Sequence, residues 1–178
     1  MRMRKILCSA AFALALTFNC VAQEAACQRH SETAGGFSIC APEGWRVEER
    51  TGQKYRIIFG PRGEVFTPNL NFKDEASSTS LADYVAASLK NILANYEKVG
   101  ATSVKVVDQA DFKTDSGLVG VRVSLSTVYR GLTIRTLQYY FNGKSGQKWI
   151  VTGTSLEPER ETNDKVFDRA ARAFRLDR

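Results

Sequence analysis

Hydrophobic and polar residues alternate with a period of two in parts of this chain, which is the pattern of half-buried β-strands. The clearest run covers residues 118–128, where valines and Leu125 alternate with glycine, arginine and serine. This run predicts a strand with one buried face and one polar face. Further strand-like runs cover residues 37–40, 45–50, 54–60, 64–73, 102–112, 132–141 and 148–155. Because short turns join the last of these runs, we expect them to form an antiparallel meander.

Two segments have the helical period instead. Between Ser80 and Tyr96, apolar residues recur every three or four positions, which predicts a helix. Ser80 and Asp83 resemble a capping pair at its start, and Gly100 follows its end. A second helix is predicted from about Glu159 to Arg175. Its apolar stripe consists of Phe167, Ala170, Ala171 and Phe174.

The elements follow the order strands, helix, strands, helix, which predicts the fold class α+β, with an antiparallel β-sheet flanked by helices. The chain has 178 residues, which is close to the usual size of a single domain. We therefore expect one domain over residues 23–178, after a signal peptide at residues 1–22.

The signal peptide is predicted from three basic residues followed by an apolar run of 13 residues at 6–18, with small residues suited to cleavage after Ala22. The run is too short to span a bilayer. Removing the basic residues lowers the formal net charge from +6 to +3, which does not favour nucleic-acid binding. We expect a periplasmic or secreted protein with no membrane span.

Cleavage would leave Cys27 and Cys40 as the cysteines of the exported chain. In an oxidising compartment such a pair is interpreted first as a structural disulfide. A redox pair and a metal site are the alternatives. The spacing is longer than that of a redox motif, and a metal would need more ligands than His30 can add.

Two prolines predict interruptions of the strands. Pro42 and Gly44 suit a tight turn that we interpret as a structural corner, with Trp45 anchoring it in the core. The alternative is that Trp45 stacks on a ligand. Pro68 interrupts the run at 64–73 and predicts an edge strand or a bulge there.

The runs FSICAPEGW, FTPNLNF, SLADY and WIVTGT, followed by a terminal amphipathic helix, together resemble the PsbP-like superfamily. The resemblance covers residues 36–176. It implies a PsbP-like α/β/α sandwich and a compact domain that binds other proteins. The superfamily includes DcrB-like proteins of the bacterial cell envelope, and the export signal favours that branch.

Few residues suit catalysis. His30 is the one histidine in the chain, so a Ser-His-acid triad would depend on it alone. Asp108, Asp111 and Asp115 do not have the spacing of a calcium loop and are interpreted as solvated hairpin residues. The letters GKS after Asn142 lack the first glycine and the following helix of a phosphate-binding loop. We expect no enzyme activity, no metal and no cofactor.

Tyr139, Tyr140 and Phe141 are consecutive, so in a strand Tyr140 must face opposite to its two neighbours. One interpretation is that an exposed member of this run binds a partner. The other is that all three pack beneath helices.

These observations predict an exported, non-enzymatic binding protein of the bacterial cell envelope that recognises another protein, as an adaptor or an immunity-like protein. The alternative is a periplasmic carrier that holds a small ligand or lipid in a groove between sheet and helix. The surface of the folded domain is needed to distinguish the protein-binding role from the carrier.

Overall fold

The computed structural model describes residues 27–177. The signal peptide predicted at residues 1–22 lies outside these residues and stays a prediction. The strands are β1 (Gln28–Glu32), β2 (Phe37–Ala41), β3 (Arg46–Glu48), β4 (Ile57–Phe59), β5 (Asn69–Ala76), β6 (Ala101–Lys113), β7 (Val119–Tyr129), β8 (Leu132–Asn142), β9 (Gln147–Leu156) and β10 (Arg175–Leu176). The helices are α1 (Leu81–Asn95) and α2 (Arg160–Arg172), with short 3₁₀ turns at Tyr96–Val99 and Glu157–Glu159.

Seven strands form a large sheet in the order β3-β4-β5-β9-β8-β7-β6, and every neighbouring pair is antiparallel. The strands β6 to β9 follow one another in space as well as in sequence, so the predicted meander is confirmed. A second sheet has the order β1-β2-β10. Helix α1 packs on one face of the large sheet, and α2 with the small sheet packs on the other.

The two faces of the large sheet have separate cores. Beneath α2 and the small sheet lies an aromatic cluster that includes Phe37, Trp149, Phe167 and Phe174. Beneath α1 lies a smaller cluster of Val85, Val123, Leu125, Tyr140 and Ile150. The α+β fold with a sheet flanked by helices is therefore confirmed.

Strand β8 supplies both cores. Tyr139 and Phe141 belong to the cluster beneath α2, whereas Tyr140 belongs to the cluster beneath α1. All three side chains are 0% exposed. Partner binding by Tyr139, Tyr140 or Phe141 was the wrong interpretation of this run, because both faces of β8 are covered and no ring reaches the surface.

The first helix matches its prediction closely. The Ser80 hydroxyl accepts a hydrogen bond from the Asp83 backbone N–H at 3.1 Å, which caps α1. Gly100 adopts a φ of +81° and ends the 3₁₀ turn. The second helix ends at Arg172, earlier than predicted, because the chain turns there to place β10 beside β2.

The strands differ from the sequence pattern in three ways. Strand β1 was not predicted, since its residues are mostly polar; it pairs with β2. Pro68 lies just before β5, which is an inner strand rather than an edge. The polar face of β7 is not simply solvated: Ser124 is only 1% exposed, because α2 and its side chains cover that face.

Polar contacts fasten α2 to the sheet. The Tyr139 hydroxyl donates to Asp168 Oδ1 at 2.7 Å, and Arg122 donates to Asp168 Oδ2 at 3.2 Å. One turn earlier, Arg135 donates to Asp164 Oδ2 at 2.8 Å. Burial, and then the Asp168 carboxylate, raise the pKa of Tyr139 well above its usual value. The tyrosine is therefore a neutral donor to a charged acceptor.

Candidate binding site

The corner after β2 is a tight turn. The Trp45 backbone N–H donates to the Pro42 carbonyl oxygen at 3.1 Å, and Gly44 has a φ of +75°, which glycine adopts without strain. The Trp45 ring meets Phe167 of α2 edge-on, with 5.9 Å between the ring centroids. Trp45 is half-buried and packs against the aromatic cluster. Its outer side borders a recess of about 220 Å³ beside α2.

Cys27 and Cys40 are joined by a disulfide, with 5.2 Å between their Cα atoms. The bridge ties the start of β1 to β2. Arg29 lies beside it, with Nη2 at 3.6 Å from Cys40 Sγ. The predicted disulfide is therefore present in the structure.

The candidates for chemistry lie apart from one another. His30 is half-buried, with Nε2 at 3.8 Å from Glu32 Oε2; burial, and next the Arg56 guanidinium, lower the pKa of His30. Asp111 and Asp115 are exposed, and Asp108 pairs with Arg122 at 2.9 Å. Within residues 27–177, no three histidine, cysteine or acidic side chains converge as a metal would require.

Neither α1 nor α2 has the length and apolar character to cross a bilayer.

An open groove lies on the α1 side of the large sheet, beyond the end of α1. Its volume is about 520 Å³. Three segments distant in sequence meet there: the loop before β5, the 3₁₀ turn after α1, and the hairpin between β7 and β8. The residues that give it an apolar lining are Val65, Phe66, Val99, Tyr129, Leu132 and Ile134.

The register of the sheet explains why the groove is apolar. Tyr129 lies four residues after Leu125 on β7, so both side chains point to the α1 face. Helix α1 covers Leu125 but ends before Tyr129, where the chain passes into β6. The last part of this face is therefore left without a helix over it.

The groove is open to solvent and nearly uncharged. Val65 is 67% exposed and Val99 is 71% exposed. Arg130 is the one charged residue in its lining, and its guanidinium carbon lies 5.1 Å from the centroid of the Tyr129 ring. An exposed apolar surface of this kind is typical of sites that bind proteins or apolar ligands.

Sequence reasoning missed this groove, because its parts come from separate segments. One signal was available: Val99 is an apolar residue next to the turn at Gly100, outside every predicted strand and helix.

The arrangement of strands and helices is similar to several solved structures. CyanoP, the cyanobacterial PsbP from Synechocystis sp. PCC 6803, has a TM-score of 0.64 and 16% identity, covering 84% of this chain and 91% of that chain. PA94 from Pseudomonas aeruginosa has a TM-score of 0.56 and 17% identity, covering 82% of this chain and 94% of PA94. LpqN, involved in cell envelope biogenesis of Mycobacterium tuberculosis, has a TM-score of 0.57 and 13% identity, covering 80% and 83%.

These likenesses establish the fold, so the PsbP-like α/β/α sandwich inferred from the sequence motifs is confirmed. A scan against models of known protein families gives no match, and neither does a search of curated proteins.

Proposed function

We propose that this PsbP-like domain is an exported, non-enzymatic binding protein of the bacterial cell envelope, which recognises another protein through the groove beyond α1. The observation that carries the proposal is the convergence of Val65 and Val99. They come from different segments, each is about two-thirds exposed, and both line the same groove.

Exposed valines cost solubility and add nothing to the core, so their placement on one concave surface supports a binding role. Apolar contacts at the centre of an interface supply most of its binding energy, while polar residues around them exclude water. The groove has this composition, with Thr127, Arg130 and Thr136 among its lining residues. It suits an apolar side chain presented by a partner.

Two further observations support export. The predicted signal peptide directs the chain out of the cytoplasm, and disulfides persist mainly in oxidising compartments. LpqN, which has the same fold, is involved in cell envelope biogenesis. An adaptor or immunity-like role in the envelope accords with these features.

A carrier of a small ligand or lipid is the second candidate, because the groove lies between the end of α1 and the sheet and has an apolar lining. Carriers of apolar ligands bury most of the ligand in a closed cavity. The groove is open along one side, and this openness favours a protein partner.

The test is quantitative affinity capture from the periplasm of the native host with two matched variants. Val65→Glu/Val99→Glu places charges in the groove. Val119→Glu changes a valine that is equally exposed, at 68%, but lies at the opposite end of the sheet. We expect the first variant to capture about tenfold less of the partner, or less still. The second variant should capture as much as the parent.

Equal capture by all three proteins would contradict the assignment of the groove. Native mass spectrometry of protein purified from its own host decides between the two candidates. A bound molecule of lipid size that the groove variant lacks would replace the protein-binding proposal with the carrier.

A further inference from the structure

Arg130 has a backbone conformation that arginine seldom adopts. The hairpin between β7 and β8 has a two-residue loop, because Tyr129 is opposite Leu132. Its residues Arg130 and Gly131 have φ values of +49° and +79°. Loops of this kind need a positive φ at both central positions, which asparagine and glycine adopt most readily. Arginine at the first position therefore adds strain to the turn.

The guanidinium of Arg130 is exposed and unpaired. It forms no ion pair with any carboxylate of residues 27–177. Glu64 and Glu97 are the acidic residues nearest in sequence to the exposed valines of the groove, and both are exposed without pairing with Arg130. The charge of Arg130 is therefore available to an anionic group from outside the chain.

The unpaired charge lies at the margin of the groove. Arg130 is the one charged residue in the lining, which also includes Tyr129. The Arg130 Cζ atom lies 5.1 Å from the centroid of the Tyr129 ring, and an attraction between cation and ring holds the guanidinium there. The groove therefore combines an apolar surface with a single cation.

We propose that Arg130 is a specificity-determining residue, and that the partner presents an apolar segment with an aspartate or glutamate beside it. This inference rests on the proposed protein-binding role of the groove. The apolar side chain would pack on the groove, and the carboxylate would meet the guanidinium. A charge at the rim of an interface selects partners of opposite charge and speeds their association. A strained residue that pairs with nothing in its own chain is typical of a functional position.

A fatty acid is the competing ligand class, since it also combines an apolar chain with a carboxylate. Sites for such ligands enclose most of the molecule, whereas this groove is open along one side. The openness favours a segment of a protein, whose remaining surface can cover the groove.

The experiment is an NMR titration of the exported chain, residues 23–178, with three synthetic peptides. They are acetyl-GLFEG-amide and its counterparts with glutamine or lysine in place of glutamate. We expect the glutamate peptide to shift the amide resonances of Val65, Val99 and Tyr129, with a dissociation constant on the order of 1 mM. The glutamine peptide should bind about threefold more weakly, and the lysine peptide more weakly still. Salt at about 0.5 M should remove most of the difference.

Variants of the cation separate its role from that of the groove. Arg130→Gln should bind the glutamate and glutamine peptides equally, whereas Arg130→Lys keeps the charge and should keep most of the preference. Lys90→Gln removes an exposed cation of α1 and is the matched control, with the preference of the parent. Val65→Glu/Val99→Glu should lose all three peptides, because it disrupts the apolar surface.

The strain provides a second readout. Asparagine adopts a positive φ more readily than arginine does, so Arg130→Asn should raise the unfolding midpoint by about 2 °C while losing the preference for glutamate. Ser145 has a φ of +52° in the hairpin at the other end of β8. Ser145→Asn should raise the midpoint similarly and leave peptide binding unchanged. If Arg130 served only the turn, Arg130→Asn would not alter peptide selection.

Equal binding of the three peptides by the parent would overturn the proposal, and so would a preference that persists in Arg130→Gln. Both results would leave the groove intact as a protein-binding site. Absence of binding at tenfold the expected dissociation constant would also overturn the proposal, and capture with Val65→Glu/Val99→Glu would then decide separately on the proposed function. Tighter binding of dodecanoate than of the glutamate peptide would replace the protein segment with a fatty acid.

Discussion

Gly153 of β9 lies directly beneath the ring of Phe167 of α2. A Cβ atom added at Gly153 would come within 2.4 Å of the Phe167 ring, and Phe167 is 0% exposed. Because Gly153 has no side chain, α2 can approach the centre of the sheet closely.

Gly153→Ala should destabilise the fold by about 2 kcal/mol, because Phe167 must leave its position or α2 must move outward. Denaturant unfolding measures the change. Phe167→Leu removes part of the ring that the new methyl group meets, so the double variant should lose less stability than the sum of the two single variants. If the losses in free energy of unfolding of the two single variants simply add in the double variant, the two sites are not in contact.

Removal of the disulfide should also destabilise the protein. Cys27→Ala/Cys40→Ala releases a loop with a sequence separation of 13, which corresponds to about 3 kcal/mol in the chain-entropy model. Reductant should lower the unfolding midpoint of the parent and leave the variant unchanged. Alkylation of the denatured, unreduced protein should label no thiol in the mature chain, and labelling of both cysteines would refute the bridge.

Alkaline pH should weaken the fold through Tyr139. Burial, and then Asp168, raise the pKa of Tyr139 in the folded state. In the unfolded chain the pKa of a tyrosine is about 10. The unfolded state therefore loses this proton first, and the free energy of unfolding falls as the pH rises above about 10.

Tyr139→Phe separates this effect from a general alkaline loss. The variant should be less stable at pH 7 by about 1 kcal/mol, since the hydrogen bond to Asp168 is lost. Its stability should then decline less steeply above pH 10 than that of the parent. Parallel declines would assign the alkaline effect to other residues.

Acid should weaken the fold through Asp74 of β5. Three donors surround its carboxylate: Lys54 Nζ at 2.7 Å, the Tyr55 hydroxyl at 2.8 Å and Gln147 Nε2 at 2.8 Å. Burial raises the pKa of Asp74, but these hydrogen bonds outweigh it and lower the pKa below its usual value. The stabilisation is complete above the unfolded pKa of about 4 and is lost as the pH falls below it.

Asp74→Asn should accordingly be less stable than the parent at pH 7, and the difference should shrink toward pH 2. Asp111→Asn changes an exposed aspartate of β6 and serves as the control. A difference between parent and Asp74→Asn that stays constant from pH 7 to pH 2 would contradict the role of the charge.

The sequence predicted the elements that lie in one continuous segment with a clear pattern or clear bounding turns. Helix α1 has its apolar stripe and its Ser80 cap in one segment, and β7 to β9 are strand-like runs of ten or eleven residues joined by short turns. Strand β1 has no such pattern, because it is not held by an apolar face. Its pairing with β2 and the disulfide hold it in place.

The binding groove depends on relationships that no local pattern contains. It joins the loop at Val65 to the turn at Val99. The motifs that resembled the PsbP-like superfamily identified the fold but not this groove, because they mark corners and strand ends.

The alternation of Tyr139, Tyr140 and Phe141 has a consequence for how the domain comes apart. Since a single strand is anchored in both layers, neither helix can detach without loosening the opposite side of the molecule. Heating should therefore melt the two halves together in one cooperative transition, and a partner that stiffens the α1 side should also slow hydrogen exchange beneath α2.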